Sequence, residues 1–355
     1  MPWRKTSDPY AIFVSEFMLQ QTTVATVKPY YERFLKKFPT LLSLSHSHLN
    51  DVLALWSGLG YYARARNLWA AMQMVEKEFK GKIPKTIDEL IRLPGVGPYT
   101  AGAIVTLAYN LPAAVLDGNI IRVLMRVLAI QDDPKLKAVQ LILKEVSVGL
   151  SAQSKKDQRG KRGGPRNLSL ALMDVGASVC FPRNPACDEC PCAAYCLAKS
   201  YGKQEEIPMT GEKVERPHVR RLYAVLERDG QWLLGRRPEE GLFGGLWEFI
   251  GMDAPPGAEP VPAVEENVLR ETGLSCRVKE ALPAFEHQLT HRVYSVRAFR
   301  CHPSASSSKT AALKGIHYER FKWIRPGQIN RMGVSAITKR IVQETSRRGE
   351  VKHLY

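Results

Sequence analysis

Cys180, Cys187, Cys190 and Cys196 stand at C-x6-C-x2-C-x5-C spacing, four thiols within seventeen residues, and nothing else in the chain so narrows the ways it can fold. The stretch is rich in turns, with Pro182, Pro185 and Pro191, so the four sulfurs can converge on one centre. Four thiolate donors suit a [4Fe–4S] cluster or a zinc ion. Zinc usually takes paired two-residue knuckles, and only Cys187 and Cys190 are spaced that way. Cys192 is a further thiol inside the array. Cys276 and Cys301 lie far along the chain and suit ordinary packing.

The chain has 355 residues, more than one ordinary domain needs, and 45% of them are hydrophobic, enough for each part to bury a core. Segments such as Ala11–Thr22, Val24–Lys37, Leu49–Gly58, Arg66–Glu78, Ile87–Leu93 and Thr100–Tyr109 carry apolar residues at helical spacing. After Pro217 the texture changes to short strand-like runs, Leu222–Glu227, Trp232–Leu234, Leu246–Ile250 and Arg292–Phe299. These shifts predict a multi-domain fold: an all-α domain over 1–202, a polar linker over 203–217, an α+β domain over 218–345 and a short tail over 346–355. The basic, polar chain after about Gln343 is expected to fray.

A formal charge of +16 calls for a polyanionic partner, nucleic acid among them. No apolar run approaches the roughly 18 to 20 residues of a membrane span, and the N-terminus has no apolar signal core. A cytoplasmic protein with reduced or metal-bound cysteines is therefore expected, with no membrane partner. Ser151–Asn167 concentrates Lys155, Lys156, Arg159, Lys161, Arg162 and Arg166 against the single acid Asp157. Such a stretch is a solvated loop or a nonspecific contact with phosphates.

Leu93-Pro-Gly-Val-Gly-Pro-Tyr-Thr100 closes one helical segment and opens another. Gly95 and Gly97 allow tight backbone geometry beside a helix N-terminus, where freed amides can hold a DNA phosphate. Downstream, Asp117 precedes an apolar helical run, which makes it a helix cap and favours its ionised form. Glu16 has Ile12, Phe13, Leu19 and Gln20 as its helical neighbours, mostly apolar company; it is either a proton donor whose pKa desolvation raises or a snorkelling or hydrogen-bonded structural residue. One raised and one lowered carboxylate is the pairing that glycosidic chemistry uses.

The hairpin at 93–100, the following Asp117 and the cysteine array at 180–196 resemble the helix-hairpin-helix glycosylases related to endonuclease III. Within that group, Ser15-Glu-Phe-Met-Leu-Gln-Gln-Thr22, Gly58-Leu-Gly-Tyr-Tyr-Ala-Arg-Ala-Arg-Asn67 and Asp117-Gly-Asn119 resemble the adenine DNA glycosylase (MutY) family over nearly the whole chain. The resemblance implies a monomeric bacterial enzyme, nucleoid-associated, that excises adenine mispaired with 8-oxoguanine in double-stranded DNA. Its relatives that also cleave the backbone carry lysine where Tyr99 stands, and tyrosine cannot form a Schiff base, so simple base release is implied.

By the same resemblance the adenine is flipped out, Glu16 protonates it, and Asp117 stabilises the oxocarbenium ion. Asn119 orients Asp117, and Tyr99 bonds near the two carboxylates. Trp3 and Arg4 match the mouth of the adenine pocket, while Leu19, Gln21, Thr22 and Tyr61 match residues that wedge into DNA or contact the damaged guanine. Cys180, Cys187, Cys190 and Cys196 are implied to hold a structural [4Fe–4S] cluster.

Gly244-Gly-Leu-Trp-Glu-Phe249 and Arg270-Glu-Thr-Gly-Leu274 resemble a Nudix domain. A working Nudix site needs several acids on one helix, and Glu266-Asn-Val-Leu-Arg-Glu271 has asparagine and arginine at two of those places. The domain is implied to recognise 8-oxoguanine through Glu286–His291, with Thr290 and His291 at the end, where the family commonly has Phe-Ser-His. Two further departures are Leu170, where the family carries Gln or Glu, and the absence of a helix ahead of Pro2-Trp3-Arg4, so that either the chain is shortened or a neighbouring surface is left exposed. The competing readings are a bifunctional lyase for oxidised pyrimidines, a non-catalytic duplex binder and a nucleotide pyrophosphatase.

Overall fold

The computed structural model of the chain describes residues 1–154, 163–209, 215–304 and 315–350, the last four without their side chains. Lys155, Lys156, Asp157, Arg159, Lys161 and Arg162 of the basic segment lie outside the described residues, as do 210–214 of the linker and 351–355 of the tail. The chain forms two compact units, Met1–Ser45 with Ala70–Lys213, and His46–Trp69 with Val214–Tyr355. The sequence break near residue 210 does not anticipate the second grouping, which joins an early helical segment to the C-terminal half.

The first unit is helical: α1 (Pro9–Leu19), α2 (Val24–Lys37), α3 (Leu41–Ser45), then α4 (Leu49–Trp56) and the start of α5 (Ala63–Phe79) in the other unit, then α6 (Ile87–Ile91), α7 (Pro98–Tyr109), α8 (Gly118–Val127), α9 (Lys137–Gln153), α10 (Gly164–Ser178) and α11 (Leu197–Ser200). Asp8 caps α1 by accepting from Tyr10 N and Ala11 N, both at 3.2 Å. Every residue from Tyr10 to Met18 is buried, so α1 runs through the interior and packs on α2 and α7. Apolar positions of α1, α7, α8 and α9 share one core built on Ile12, Leu107, Ile120, Leu124 and Leu143. Asn110 ends α7 in the left-handed conformation that suits asparagine. Gly102 lies where α7 meets the extended chain before α8; a Cβ there would stand 2.0 Å from the Ala114 carbonyl oxygen.

The second unit is a mixed sheet between two helices: β1 (His218–Arg228), β2 (Gln231–Arg236), β3 (Trp247–Glu248), β4 (Ile250–Asp253), α12 (Pro260–Thr272), β5 (Cys276–Ala281), β6 (Phe285–Gln288), β7 (Val293–Pro303), β8 (Arg320–Ile324) and α13 (Ala336–Glu350). β1 and β7 pair in parallel from His218↔Val293 to Leu226↔Cys301, and β4, β5, β6 and β8 add antiparallel neighbours. Asp229 and Gly230 turn β1 into β2 with φ +51° and +67°, the backbone an Asp-Gly hairpin requires. Alternation along β1 sends Leu222, Ala224 and Leu226 to the α12 side and Tyr223 and Val225 to the α13 side. The helix α13 continues through Glu350, and the Thr345 carbonyl accepts from Arg300 Nη2 at 2.6 Å, so residues 344–350 are helical where fraying was expected; the rest of the expected tail lies outside the described residues.

The helical segment of this unit is latched to its sheet half by polar bonds. Ser57 Oγ and Tyr62 OH donate to the Val334 carbonyl at 2.8 and 2.7 Å, and Lys339 Nζ donates to the Ser57 carbonyl at 2.6 Å. No described helix is long and apolar enough to cross a membrane.

Replacing Gly102 with alanine is expected to cost about 1–3 kcal/mol, because the added methyl has backbone rather than a yielding side chain in its way. Gly149→Ala, in a helix with open space around it, should be neutral or stabilising by roughly 0.5–1 kcal/mol. Thermal unfolding of both variants decides the matter: equal midpoints would mean that α7 is not held so close.

Candidate active site

Because α1 is buried on all sides, the carboxyl of Glu16 is carried into the interior, where it is 4% exposed. Tyr99, in the first turn of α7, donates its hydroxyl to Glu16 Oε2 at 3.3 Å. Burial pushes the Glu16 carboxyl up to about 7; the Tyr99 bond opposes the shift and nearby Asp117 adds to it. Burial, then the two carboxylates, hold the Tyr99 phenol well above its usual value, so it remains a donor.

Asp117 caps α8, with Oδ1 accepting from Ile120 N at 2.7 Å and Oδ2 accepting from Asn119 Nδ2 at 3.4 Å. Asn119 Oδ1 accepts in turn from Arg122 Nη2 at 2.9 Å. That guanidinium also donates to the carbonyls of Gly176 at 2.6 Å and Cys180 at 2.8 Å. A Cβ on Gly176 would stand 2.6 Å from Asn119 Cβ, so only glycine lets α10 come this close to α8. Arg122 and Gly176 escaped the sequence reading. The signal for Gly176 was a glycine inside a helical pattern; for Arg122 there was none.

Glu16, Tyr99, Asp117 and Asn119 open into one cavity of about 670 Å³, together with Trp3, Arg4, Leu19, Gln21 and Thr22. Leu107, Leu116, Leu170 and Met173 supply apolar wall. Trp3 packs edge-on against Tyr31 with ring centroids 5.2 Å apart, and Arg4 pairs with Asp174. Arg166 follows neither reading of the basic segment, solvated loop or phosphate contact. Its guanidinium donates to the Leu107 carbonyl, to the Arg4 carbonyl at 3.1 Å and to the Thr6 carbonyl at 2.6 Å, tying the N-terminal turn to α7.

At the hairpin, Leu93 and Val96 are buried and anchor the turn while Gly95 and Gly97 are exposed. Gly95 takes φ +75°, and Gly97 caps α7 with nothing within 4 Å of where a Cβ would stand. Backbone bare of side chains beside the N-terminus of a twelve-residue helix lets an anion approach closely.

Cys180, Cys187, Cys190 and Cys196 line a single small cavity, and Cys192 is not among its lining residues. Among the described residues no group of three or more His, Cys, Asp or Glu is arranged to hold a metal ion as placed. The donor set nonetheless suits one: four sulfurs line one small cavity, and a cation at its centre would take the place of the thiol protons, which burial and the neighbouring sulfurs favour at Cys187.

In the second unit Tyr61 and Thr290 meet, hydroxyl to hydroxyl, and His291 is exposed beside them. Two of the acids of the Nudix-like helix are engaged internally. Glu271 accepts from Ile316 N, His317 N and His317 Nδ1 at 3.1, 3.0 and 2.7 Å, and Glu265 accepts from Val278 N at 2.9 Å.

Residues 14–147 match the family described as HhH-GPD superfamily base excision DNA repair protein, and residues 222–344 match the NUDIX domain. The adenine DNA glycosylase of Rattus norvegicus is 33% identical over 99% of this chain and 76% of its own length. That of Buchnera aphidicola from Acyrthosiphon pisum is 34% identical over 70% of this chain and 69% of its own. The human adenine DNA glycosylase is 34% identical over 83% of this chain and 64% of its own.

The Glu16 carboxyl has a higher pKa folded than unfolded, so its protonation stabilises the fold fully below the unfolded value of 4.5 and that contribution is lost as pH rises through about 7. Glu16→Gln should therefore gain stability over the parent on going from pH 5 to pH 8, by on the order of 1–3 kcal/mol. Chemical unfolding at the two pH values is the check; a difference independent of pH would mean that Glu16 is ionised throughout.

Proposed function

The chain belongs to the adenine DNA glycosylase family, and from that premise we propose that it removes undamaged adenine paired with 8-oxoguanine, and also with guanine, by simple base release. The observation that carries the reading is the pair of unlike carboxyls facing one cavity. Glu16 is buried and bonded to Tyr99, whereas Asp117 sits at a helix cap with Asn119 on its second oxygen. Near neutral pH the raised Glu16 retains a proton to give, which is what a poor leaving group such as adenine needs.

In the proposed reaction the duplex gives up its adenine to the cavity, and Trp3, Arg4 and the apolar wall close around it. Glu16 protonates N7, the N-glycosidic bond breaks, and the bond electrons leave with the base. Asp117 stabilises the oxocarbenium ion, or traps it as a transient ester at C1′, and water then completes the hydrolysis. Tyr99 holds Glu16 in place and offers no amine for a Schiff base, so the sugar–phosphate backbone stays intact. Gly95 and Gly97 would hold a phosphate of the same strand, and Leu19, Gln21 and Thr22 would fill the gap that the flipped base leaves.

On the second unit, Tyr61 and Thr290, with His291 beside them, would read the base opposite the adenine. Internal bonding of Glu271 and Glu265 argues against nucleotide hydrolysis there. Cys180, Cys187, Cys190 and Cys196 would hold a [4Fe–4S] cluster, which supplies a structural centre for the turns from 180 to 196.

Single-turnover assays on A:8-oxoguanine, A:guanine, C:8-oxoguanine and single-stranded DNA test the proposal. Adenine should leave the first two, with strand breaks only after heat or alkali; breaks without either treatment would assign a lyase. Asp117→Asn and Glu16→Gln should each lose base release by at least about a thousandfold while still binding duplex, and the parent rate should fall as pH rises through about 7. Metal analysis separates the two candidate centres: iron with a broad absorbance shoulder near roughly 400 nm is expected, and one zinc per chain without iron would overturn it.

A further inference from the structure

Between α4 and α5 the chain turns through Gly58, Gly60 and Tyr61 with φ +101°, +80° and +49°. Glycine adopts that region freely, but Tyr61 does so only where its surroundings hold it. Tyr61 is 46% exposed and its hydroxyl meets Thr290. An exposed side chain on a strained backbone needs a clamp on its inner side.

Arg64 occupies that place. It is 7% exposed, and the carbonyls of the turn point at it: Nη2 donates to Gly60 O at 3.1 Å and Leu59 O at 3.5 Å, and Nε donates to Tyr61 O at 3.4 Å. Its guanidinium carbon lies 5.5 Å from the Trp56 ring centroid and 5.2 Å from that of Tyr61. Trp56 Nε1 adds a bond to Gly60 O at 3.1 Å, and Tyr62 OH accepts from Gly58 N at 2.9 Å. A planar fork of donors can serve several carbonyls and stack on rings at once, which a lysine ammonium cannot do.

We propose that Arg64 is a positioning residue that aims Tyr61 at the base opposite the excised adenine, and thereby sets the preference for 8-oxoguanine over guanine. The inference rests on the reading of Tyr61 given above. It makes Arg64→Lys a damaging change even though charge and length are kept.

The test is the ratio of single-turnover rates on A:8-oxoguanine and A:guanine for the parent, Arg64→Lys, Arg64→Met, Tyr61→Ala and the double variant Arg64→Lys with Tyr61→Ala. The ratio should fall roughly fivefold or more in each single variant, the loss that one displaced hydrogen bond brings. The double variant should be no worse than Tyr61→Ala alone, since both changes act through one side chain. An unchanged ratio in Tyr61→Ala would sink the assignment of Tyr61 itself. A fallen ratio there with a parental ratio in the Arg64 variants would overturn the role of Arg64, and so would Arg64 variants slowed equally on both duplexes. If Arg64→Met does not fold, Arg64→Lys carries the comparison by itself.

Discussion

Glu16 sits in a helix buried on every side, where burial raises its carboxyl to about 7 and Tyr99 supplies a hydrogen bond. An ionised carboxylate in that place would be an unpaired buried charge, one of the costliest things a fold can contain. The close approaches around it follow from that arrangement. Tyr99 reaches Glu16 because α7 packs on α1, and α7 stands where it does because Gly102 admits the Ala114 carbonyl. Asp117 faces the same space because α8 starts there, under the pressure of α10 at Gly176. Two carboxyls of the same chemistry thus receive different environments: one in an apolar interior, one at the positive end of a helix.

The second unit solves a different problem with the same kinds of group. Glu248 is fully buried, yet Arg221 and Arg237 reach its Oε1 at 3.2 and 3.1 Å, with the hydroxyls of Tyr318 and Tyr223 at 3.0 and 3.3 Å. A buried charge so well bonded specifies an arrangement more than it adds stability. The Nudix-like helix keeps acids at 265, 266 and 271, but two of them bind backbone amides of their own unit. That use of the acids suits a domain that displays a loop and a tyrosine, in place of one that holds a metal for hydrolysis.

The candidate residues of the first domain were legible in its sequence because they are short-range features. A glycine hairpin, an aspartate before an apolar run and a glutamate among apolar neighbours each announce a local backbone or solvation state. The cavity gathers nine of the named residues, Trp3, Arg4, Glu16, Leu19, Gln21, Thr22, Tyr99, Asp117 and Asn119, from three separate stretches of chain. Arg166 shows the limit of that approach. Its basic neighbourhood suggested solvent or phosphate, and its actual partners are carbonyls more than fifty residues away in sequence.

Helical and strand periodicities, the cysteine spacing and the hairpin are readable within windows of a few to twenty residues, so the sequence by itself determined a helical part and a sheet-bearing part and put forward Glu16 and Asp117 as candidates. Which groups meet was decided by the fold alone. His46–Trp69 joins the C-terminal unit, Tyr61 finds Thr290 from 229 residues away, and Arg122 joins Asn119 to Cys180. Such meetings depend on packing between distant elements and on single missing methyl groups, as at Gly102 and Gly176, which leave no periodic trace in a chain. Local physics wrote the parts; only tertiary packing could bring a buried arginine beneath a strained tyrosine.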